Sequence, residues 1–315
     1  MEHIGKQSAI LDQAARLTTV ESIFVNIDRQ QHLLSYIQES HNSHSRIHKR
    51  NLMITGPTNS GKSTVCIKYA DKYPRQRCER NDVVPIVYVK TPGVATAKQL
   101  AQKILAAIKD PASQRGSLGE LNIRILEFLK KCLTQLLILD EFQHFNPVKG
   151  NKTKENRYKE VLDWLKVLLE DAQLPVILVG LQSSEYALSQ NEQLDRRFGR
   201  RFRLSLYRWD DENDRKSFCS ILTKLDHLLP FEKLSNLSVG DMPDRFYLAS
   251  GGVIGYLFDT IRPAAEAAIN DGLENISKKY LQYAYDEFVL KFRKTGQDAF
   301  TKQMVNINAE KILRG

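Results

Sequence analysis

The run Asn51-Leu-Met-Ile-Thr-Gly56-Pro57-Thr58-Asn59-Ser60-Gly61-Lys62-Ser63-Thr64 restricts the folds open to this chain more than any other segment. A short apolar stretch leads into Gly-x-x-x-x-Gly-Lys-Ser, a spacing that calls for a strand, a tight loop and a helix in immediate succession. With glycine at about 7% of background usage, that spacing arises by chance on the order of one time in a hundred in a chain of 315 residues. Between Gly56 and Gly61 the backbone N–H groups have to converge on an anion, and glycine keeps side chains out of that approach. Lys62 brings a point charge to β and γ phosphates, and Ser63 brings a hydroxyl to Mg2+. The helix that begins near Lys62 and continues through Thr64 turns its positive end toward the same charge. ATP with Mg2+ is the expected ligand, held by residues 56–64.

Downstream, near-continuous apolar runs at 83–89, 136–139 and 175–180 suit strands buried on both faces. Between them, apolar residues at helical spacing predict helices: Leu100, Ile104 and Ile108; Leu118, Leu121, Ile125, Phe128 and Cys132; and a third over about 155–171. Strands alternating with helices predict an α/β fold with a parallel, doubly wound sheet. From Trp209 onward only helical patterns remain, with Leu257, Ile261, Ala264, Ala265 and Ala268 marking one apolar face. The expected organisation is a helical and connector segment over 1–45, a nucleotide-binding α/β domain over 46–208, a small all-helical domain over 209–288, and a tail over 289–315. In that tail Phe292, Phe300 and Met304 are spaced among Lys, Gln and Asn, as in a segment that orders on a partner. Ahead of the first strand, residues 20–39 read as one or two amphipathic helices.

Asp140-Glu141, at the exit of the 136–139 run, supplies what Lys62 and Ser63 lack: Asp140 for the Mg2+ shell and Glu141 to polarise a water. A small-molecule kinase needs no second carboxylate for that purpose, so the pair points to an ATPase. Residues 196–208 carry six arginines and no acid. Arg196, Arg197 or Arg200 is expected to reach a neighbouring subunit's nucleotide as a finger, while Arg201, Arg203 or Arg208 fits a solvated basic face. Residues 98–131 hold seven Lys and Arg against three acids, with Lys98, Lys103, Arg115 and Ser117 the candidates for DNA phosphate contact. Phe128, the aromatic residue within this segment, falls at an apolar helical position, so base stacking is not expected.

The formal charge of +9 favours a polyanionic partner, nucleic acid ahead of membrane. Four scattered cysteines without a Cys-x-x-Cys pair, and no long apolar N-terminal run, indicate a reduced, cytosolic protein. Cys66 and Cys132 fall at apolar positions of predicted helices and belong to the core. His41, His44 and His48 could share a helical face, but no cysteine or close carboxylate completes a metal set, and a solvated cationic connector is the better reading.

Taken in order, several segments resemble the TniB and TnsC transposition ATPases, members of the AAA+ class related to replication initiators. They are Gly56 to Thr64, Leu137-Ile-Leu-Asp-Glu-Phe-Gln-His144, Val176-Ile-Leu-Val-Gly180, Glu192-Gln-Leu-Asp-Arg-Arg-Phe198, Trp209, Leu228-Leu-Pro230 and Ser250-Gly-Gly-Val-Ile-Gly255. The likeness spans about residues 45 to 285. It implies an AAA+ P-loop ATPase with a helical lid, assembling on double-stranded DNA with little sequence preference as a ring or helical filament. Such a regulator links a TniQ-type target selector to a DDE transposase and cuts no DNA itself. The same resemblance makes Arg197, in the Arg-Phe pair, the finger candidate, and sets Lys103 and Ser117 where such proteins touch the DNA backbone. Two positions depart from the pattern. Leu181 follows Gly180 where Thr is common, leaving Gln182 as the next polar side chain for the γ-phosphate, and Tyr256 stands where a basic residue is frequent. Slow hydrolysis is the expected consequence.

Two other readings use the same residues. One is a replication initiator or helicase loader, against which the lack of a dedicated DNA-reading domain after residue 285 counts. The other is a DNA scaffold in which ATP is structural and its turnover has no role.

Overall fold

A computed structural model of the chain describes residues 2–25, 27–79, 82–93, 96–145, 152–293 and 298–301. Five short strands form one parallel sheet: β1 (Leu52–Thr55), β2 (Ile86–Lys90), β3 (Leu136–Asp140), β4 (Val176–Gly180) and β5 (Arg201–Arg203). Their order across the sheet is β2-β3-β4-β1-β5. Every residue of β1, β3 and β4 is buried, and alternation of side chains across the strand explains why their sequences read as unbroken apolar runs. Met53, Leu137, Leu139, Val176 and Leu178 enter the core on one face, while Leu52, Ile54, Leu136, Ile138, Ile177 and Val179 enter the core on the other.

Helices cover both faces. On the second, α2 (Asp28–His41) contributes Leu33 and Ile37, and α3 (Lys62–Asp71) contributes Val65, Cys66 and Tyr69. On the first lie α4 (Ala97–Ile108), α5 (Leu118–Lys131), α6 (Lys152–Ala172), α7 (Ser183–Ser189) and α8 (Glu192–Arg197). Capping boxes, Thr96 with Gln99 and Ser117 with Glu120, start α4 and α5 by satisfying N–H groups that have no partner inside the helix. The predicted strand at 83–89 begins later than expected. Val84 N–H donates to Cys132 O and Val83 pairs in an antiparallel bridge with Gln76, so the parallel ladder starts only at Ile86.

The described residues within 28–205 form this α/β unit, and those up to Ile27 together with those from Leu206 to 301 form a second, helical one. In the helical unit, α1 (Glu2–Ser22) packs with α9 (Glu212–Leu228), α10 (Met242–Ser250), α11 (Ile254–Asn270) and α12 (Lys278–Ala284). Val20, Ile23, Val25 and Ile27 share its core with Phe218, Leu257, Ile261 and Ala265. Arg16 ties the N-terminal helix to distant chain by pairing with Glu274 at 3.0 Å and donating to Pro230 O. The unit divisions therefore fall at 27/28 and 205/206. The expected 45/46 boundary differs because α2 covers the sheet while α1 belongs to the helical core.

Two expectations are corrected by burial. His41 is not solvated: it is 3% exposed, with Nδ1 hydrogen-bonded to the Tyr69 hydroxyl and Nε2 to Gln135 Oε1, both at 2.9 Å. Removal from water also lowers its pKa, the Gln135 hydrogen bond opposing that and the nearby His44 adding to it. The segment read as a tail is in part core. Phe300 is 2% exposed, set edge-on to Phe246 and Tyr285, and its N–H donates to Gln282 Oε1 at 3.0 Å. Arg245 anchors the same turn through Ala299 O at 2.7 Å. Phe292 is exposed and stacks on Tyr256, whereas Met304 lies outside the described residues.

Phe300→Ala should cost about 3–5 kcal/mol in urea denaturation of the helical unit, the range for emptying a buried aromatic site. A change under about 0.5 kcal/mol is the surface-residue result and would restore the free-tail reading.

Candidate functional site

Thr55, Asp140 and Gly180 end β1, β3 and β4 at the same edge of the sheet, the carboxyl edge at which doubly wound sheets present their ligand sites. Beyond Thr55 the loop folds tightly. A Cβ on Gly56 would fall 2.5 Å from Leu204 O, so only glycine passes the chain beside β5. Asn59 and Gly61 both take positive φ, at 61° and 93°, which curls successive amides inward ahead of α3. The loop and α3 thus have the form their spacing implies.

Lys62 points its ammonium back into the loop. Its Nζ donates to Gly56 O at 3.0 Å, Pro57 O at 2.6 Å and Ser60 Oγ at 3.3 Å, and the residue is 8% exposed. Burial lowers its pKa, while the negative charges of Asp140 and Glu141 work in the opposite direction. Asp140 is 1% exposed. Its Oδ2 accepts from the Tyr88 hydroxyl and its Oδ1 from the Glu141 N–H at 2.7 Å. Tyr88 comes from β2, and its hydroxyl is held protonated by burial first and by the hydrogen bond to Asp140 second.

Glu141 leaves the strand with φ of 60°, a left-handed conformation that costs a non-glycine residue roughly 1–2 kcal/mol. This turn lets adjacent carboxylates serve one site, although successive side chains of a strand point apart. Lys90 Nζ stands 3.7 Å from Glu141 Oε1, and Gln143 Nε2 donates to Oε2. Gln182, by contrast, lies exposed at the entry to α7.

Glycines whose replacement would collide, a buried ammonium, the Ser60 and Ser63 hydroxyls and a buried carboxylate make a donor set that fits a magnesium-bound nucleoside triphosphate. Ser63 is half-buried at the start of α3, and Thr58 and Thr64 are exposed. Among the described residues no group of three or more His, Cys, Asp or Glu side chains could hold a metal ion.

The arginine-rich segment is a set of ion pairs. Arg196 pairs with Glu192, Arg197 with Glu170 and Arg200 with Glu39, each at 2.7 Å. Arg196 is the most open of these, at 80% exposed, and Arg200 also lies over the Tyr36 ring. Arg201 is half-buried, whereas the Arg203 side chain stays 63% exposed. Both pair with Glu185, a residue 6% exposed on α7, which also accepts from the Thr55 hydroxyl. Burial pushes Glu185 upward, but the hydrogen bonds from Arg203 and Thr55 and the charges of Arg203 and Arg201 prevail and hold it below its ordinary range. Arg208 pairs with Asp210.

Lys98 and Lys103 are exposed on α4, and Arg115 is exposed in the loop to α5. Ser117 is committed elsewhere: its N–H and hydroxyl both donate to Glu120 Oε2, at 2.6 and 2.9 Å. Among the described residues no helix is long and apolar enough to cross a membrane. All four cysteines are free thiols. Cys66 and Cys132 are buried as expected, and burial raises the Cys66 thiol well above its usual range.

Sheet order, loop and paired carboxylates define the AAA+ P-loop class, and solved structures agree on the fold. The ORC2 protein of Aeropyrum pernix, in ADPNP and ADP complexes, matches with TM-score 0.59 and 15% identity over 86% of this chain and 71% of that one. The ORC1 protein of the same organism, in complex with DNA, gives TM-score 0.60 and 16% identity over 84% and 66%. Cdc6p from Pyrobaculum aerophilum gives 0.59 and 14% over 94% and 88%. A search among curated protein sequences finds no match. The model of the bacterial TniB protein family matches residues 16–211, and the chain belongs to that family.

Tyr88, Lys90, Gln143 and Glu185 escaped the sequence reading. Only Lys90 carried a usable signal, since its register opposite Asp140 follows once β2 and β3 are paired.

Because Glu185 titrates below its ordinary value of 4.5 in the folded chain, its contribution to stability is complete above that value and is lost as pH falls through the lowered one. The stability gap between wild type and Glu185→Gln should therefore narrow as urea melts move from pH 6 to pH 3, where ~4.5 marks the start of the change. Parallel curves would remove the ion-pair account of Arg201 and Arg203.

Proposed function

We propose that this chain is an ATP-dependent regulator of DNA transposition. The observation that carries it is the meeting of Lys62, Asp140 and Glu141 at one edge of the sheet in a member of the TniB family. In this reading the loop from Gly56 to Gly61 wraps the triphosphate, and Lys62 exchanges its loop carbonyls for β and γ phosphate oxygens. Ser63 and Asp140 would hold Mg2+, which when bound would neutralise charge on the phosphates. Glu141 takes a proton from water as its oxygen bonds to the γ-phosphorus. The bond from that phosphorus to the bridging oxygen breaks, releasing ADP and phosphate. Tyr88 keeps Asp140 in place without competing for its charge, because the buried phenol stays protonated. Gln182 lies exposed, so the proposal gives it no part beyond the outer edge of the phosphate site.

The nucleotide state would govern assembly of copies along double-stranded DNA, as a ring or helical filament. Arg197, with Arg196 beside it, is the proposed finger to the neighbouring copy, exchanging Glu170 for a γ-phosphate. Exposed Lys98, Lys103 and Arg115 support a phosphate-tracking face with little sequence preference. Ser117 would join them only by releasing Glu120. The partners on this reading are a TniQ-type target selector and a DDE transposase, in the bacterial cytosol. The fold shared with ORC and Cdc6 proteins keeps a replication initiator or helicase loader as the second reading, and the family match favours transposition.

Glu141→Gln tests the reading. It should bind ATP and duplex as the wild type does, with affinity falling as salt rises. Hydrolysis should drop by on the order of 100-fold or more, with loss of target control in a reconstituted transposition assay. Unchanged transposition at that rate would leave ATP a structural part of a DNA scaffold.

A further inference from the structure

Resting on the ATPase reading above, we infer that Gln143 is a positioning residue that ties the Glu141 carboxylate to the end of β4. Gln143 sits in the short 3-10 turn Phe142–Phe145 that follows β3. Its Oε1 accepts from the Leu181 N–H at 3.2 Å, and its Nε2 donates to Glu141 Oε2. The amide has one orientation available. A backbone N–H requires an acceptor, so the oxygen must face Leu181 and the NH2 group must face the carboxylate. Leu181 has no polar side chain of its own to offer at this point, and its backbone amide makes the link instead.

The room for that link is built into the sheet. A Cβ on Gly180 would lie 3.0 Å from Gln143 Oε1 and 2.8 Å from Ser184 Oγ, so any side chain there would push the glutamine away. Gly180 pairs with Thr55, the last residue before the phosphate loop. The route from loop to carboxylate is therefore Thr55, the β4 end, Gln143 and Glu141, all held by hydrogen bonds. Lys90 engages the other oxygen of Glu141 at 3.7 Å. With one oxygen drawn toward β2 and the other toward β4, the carboxylate is oriented across β3, and a shift at the β4 end moves it.

Two variants separate the two hydrogen bonds. Gln143→Glu keeps an acceptor for Leu181 and loses the donor to Glu141; Gln143→Leu loses both. Steady-state hydrolysis, affinity for a fluorescent ATP analogue with Mg2+, amide exchange at Leu181 and thermal melting would be measured on the full chain. The expected result is a kcat lowered roughly tenfold to a hundredfold in both variants, the scale of a misplaced reacting group. KM and analogue affinity should stay within about twofold of wild type, since uniform binding is untouched. Leu181 exchange should accelerate in Gln143→Leu alone. A merely structural role would instead lower the melting temperature and move kcat, KM and analogue affinity together, and that outcome overturns the inference. Wild-type kcat in Gln143→Glu also overturns it while leaving the ATPase reading intact. Failure of the wild-type chain to hydrolyse ATP under any condition would defeat the ATPase reading, and this inference with it.

Discussion

A lysine ammonium buried among loop oxygens at the carboxyl edge of the sheet is the constraint on which the α/β unit depends. Lys62 is inserted among loop oxygens with Asp140 and Glu141 nearby, in surroundings where an unpaired charge would cost several kcal/mol. The loop can hold it there because β1 runs between β4 and β5, and because Gly56 permits close passage beside Leu204. Covering both faces of the sheet with helices removes water from the strand ends, which strengthens each polar contact at that edge. Tyr88, Lys90 and Gln143 then fix the acidic partners from the flanking strands and turn. The result is a polar cluster at one end of a greasy sheet, with its donors and acceptors already aimed at an anion and a cation.

Much of this unit was legible because its signals are local. The phosphate loop is contiguous, and the strands announce themselves as apolar runs since both faces are covered. Asp140 and Glu141 follow directly from where β3 stops. What stayed hidden depends on chain segments far apart. Glu185 reads as an ordinary helix glutamate until Thr55, 130 residues away, and Arg203 are placed against it. The Ala299–Phe300 turn looks like polar tail until Arg245 and Gln282 capture its backbone. His41 sits in a polar run, yet Tyr69 and Gln135 draw it inside. Grouping α1 with the C-terminal helices requires contacts across most of the chain, such as Arg16 with Glu274. Hydrophobic period predicts which face is buried; it does not say against which distant segment.

Charge is arranged here in pairs more than in patches. Every arginine from 196 to 208 has a carboxylate within the same chain, so the cluster's density does not amount to six open cations. Arg201 and Arg203 serve the interior by compensating Glu185. Arg196 and Arg197 are held by more exposed glutamates, whose surface pairing is worth about 1 kcal/mol or less. On the proposed reading, a phosphate from a neighbouring copy would offer a guanidinium a bidentate partner and displace such a pair. Glu185 is buried where Glu170 and Glu192 are exposed, so exchange, as proposed, falls to Arg196 and Arg197 and not to Arg201 and Arg203.

The Lys62 ammonium is the proposed anchor for phosphate. Calorimetric titration of magnesium–ATP into wild type and Lys62→Ala, both checked by thermal melting, tests it in a single comparison. A saturable wild-type isotherm weakened about tenfold to a hundredfold in the variant is the predicted result, the scale of a lost charged hydrogen-bond donor. Equal affinities in two equally folded proteins would contradict it, and the nucleotide site at the carboxyl end of β1 would have to be abandoned.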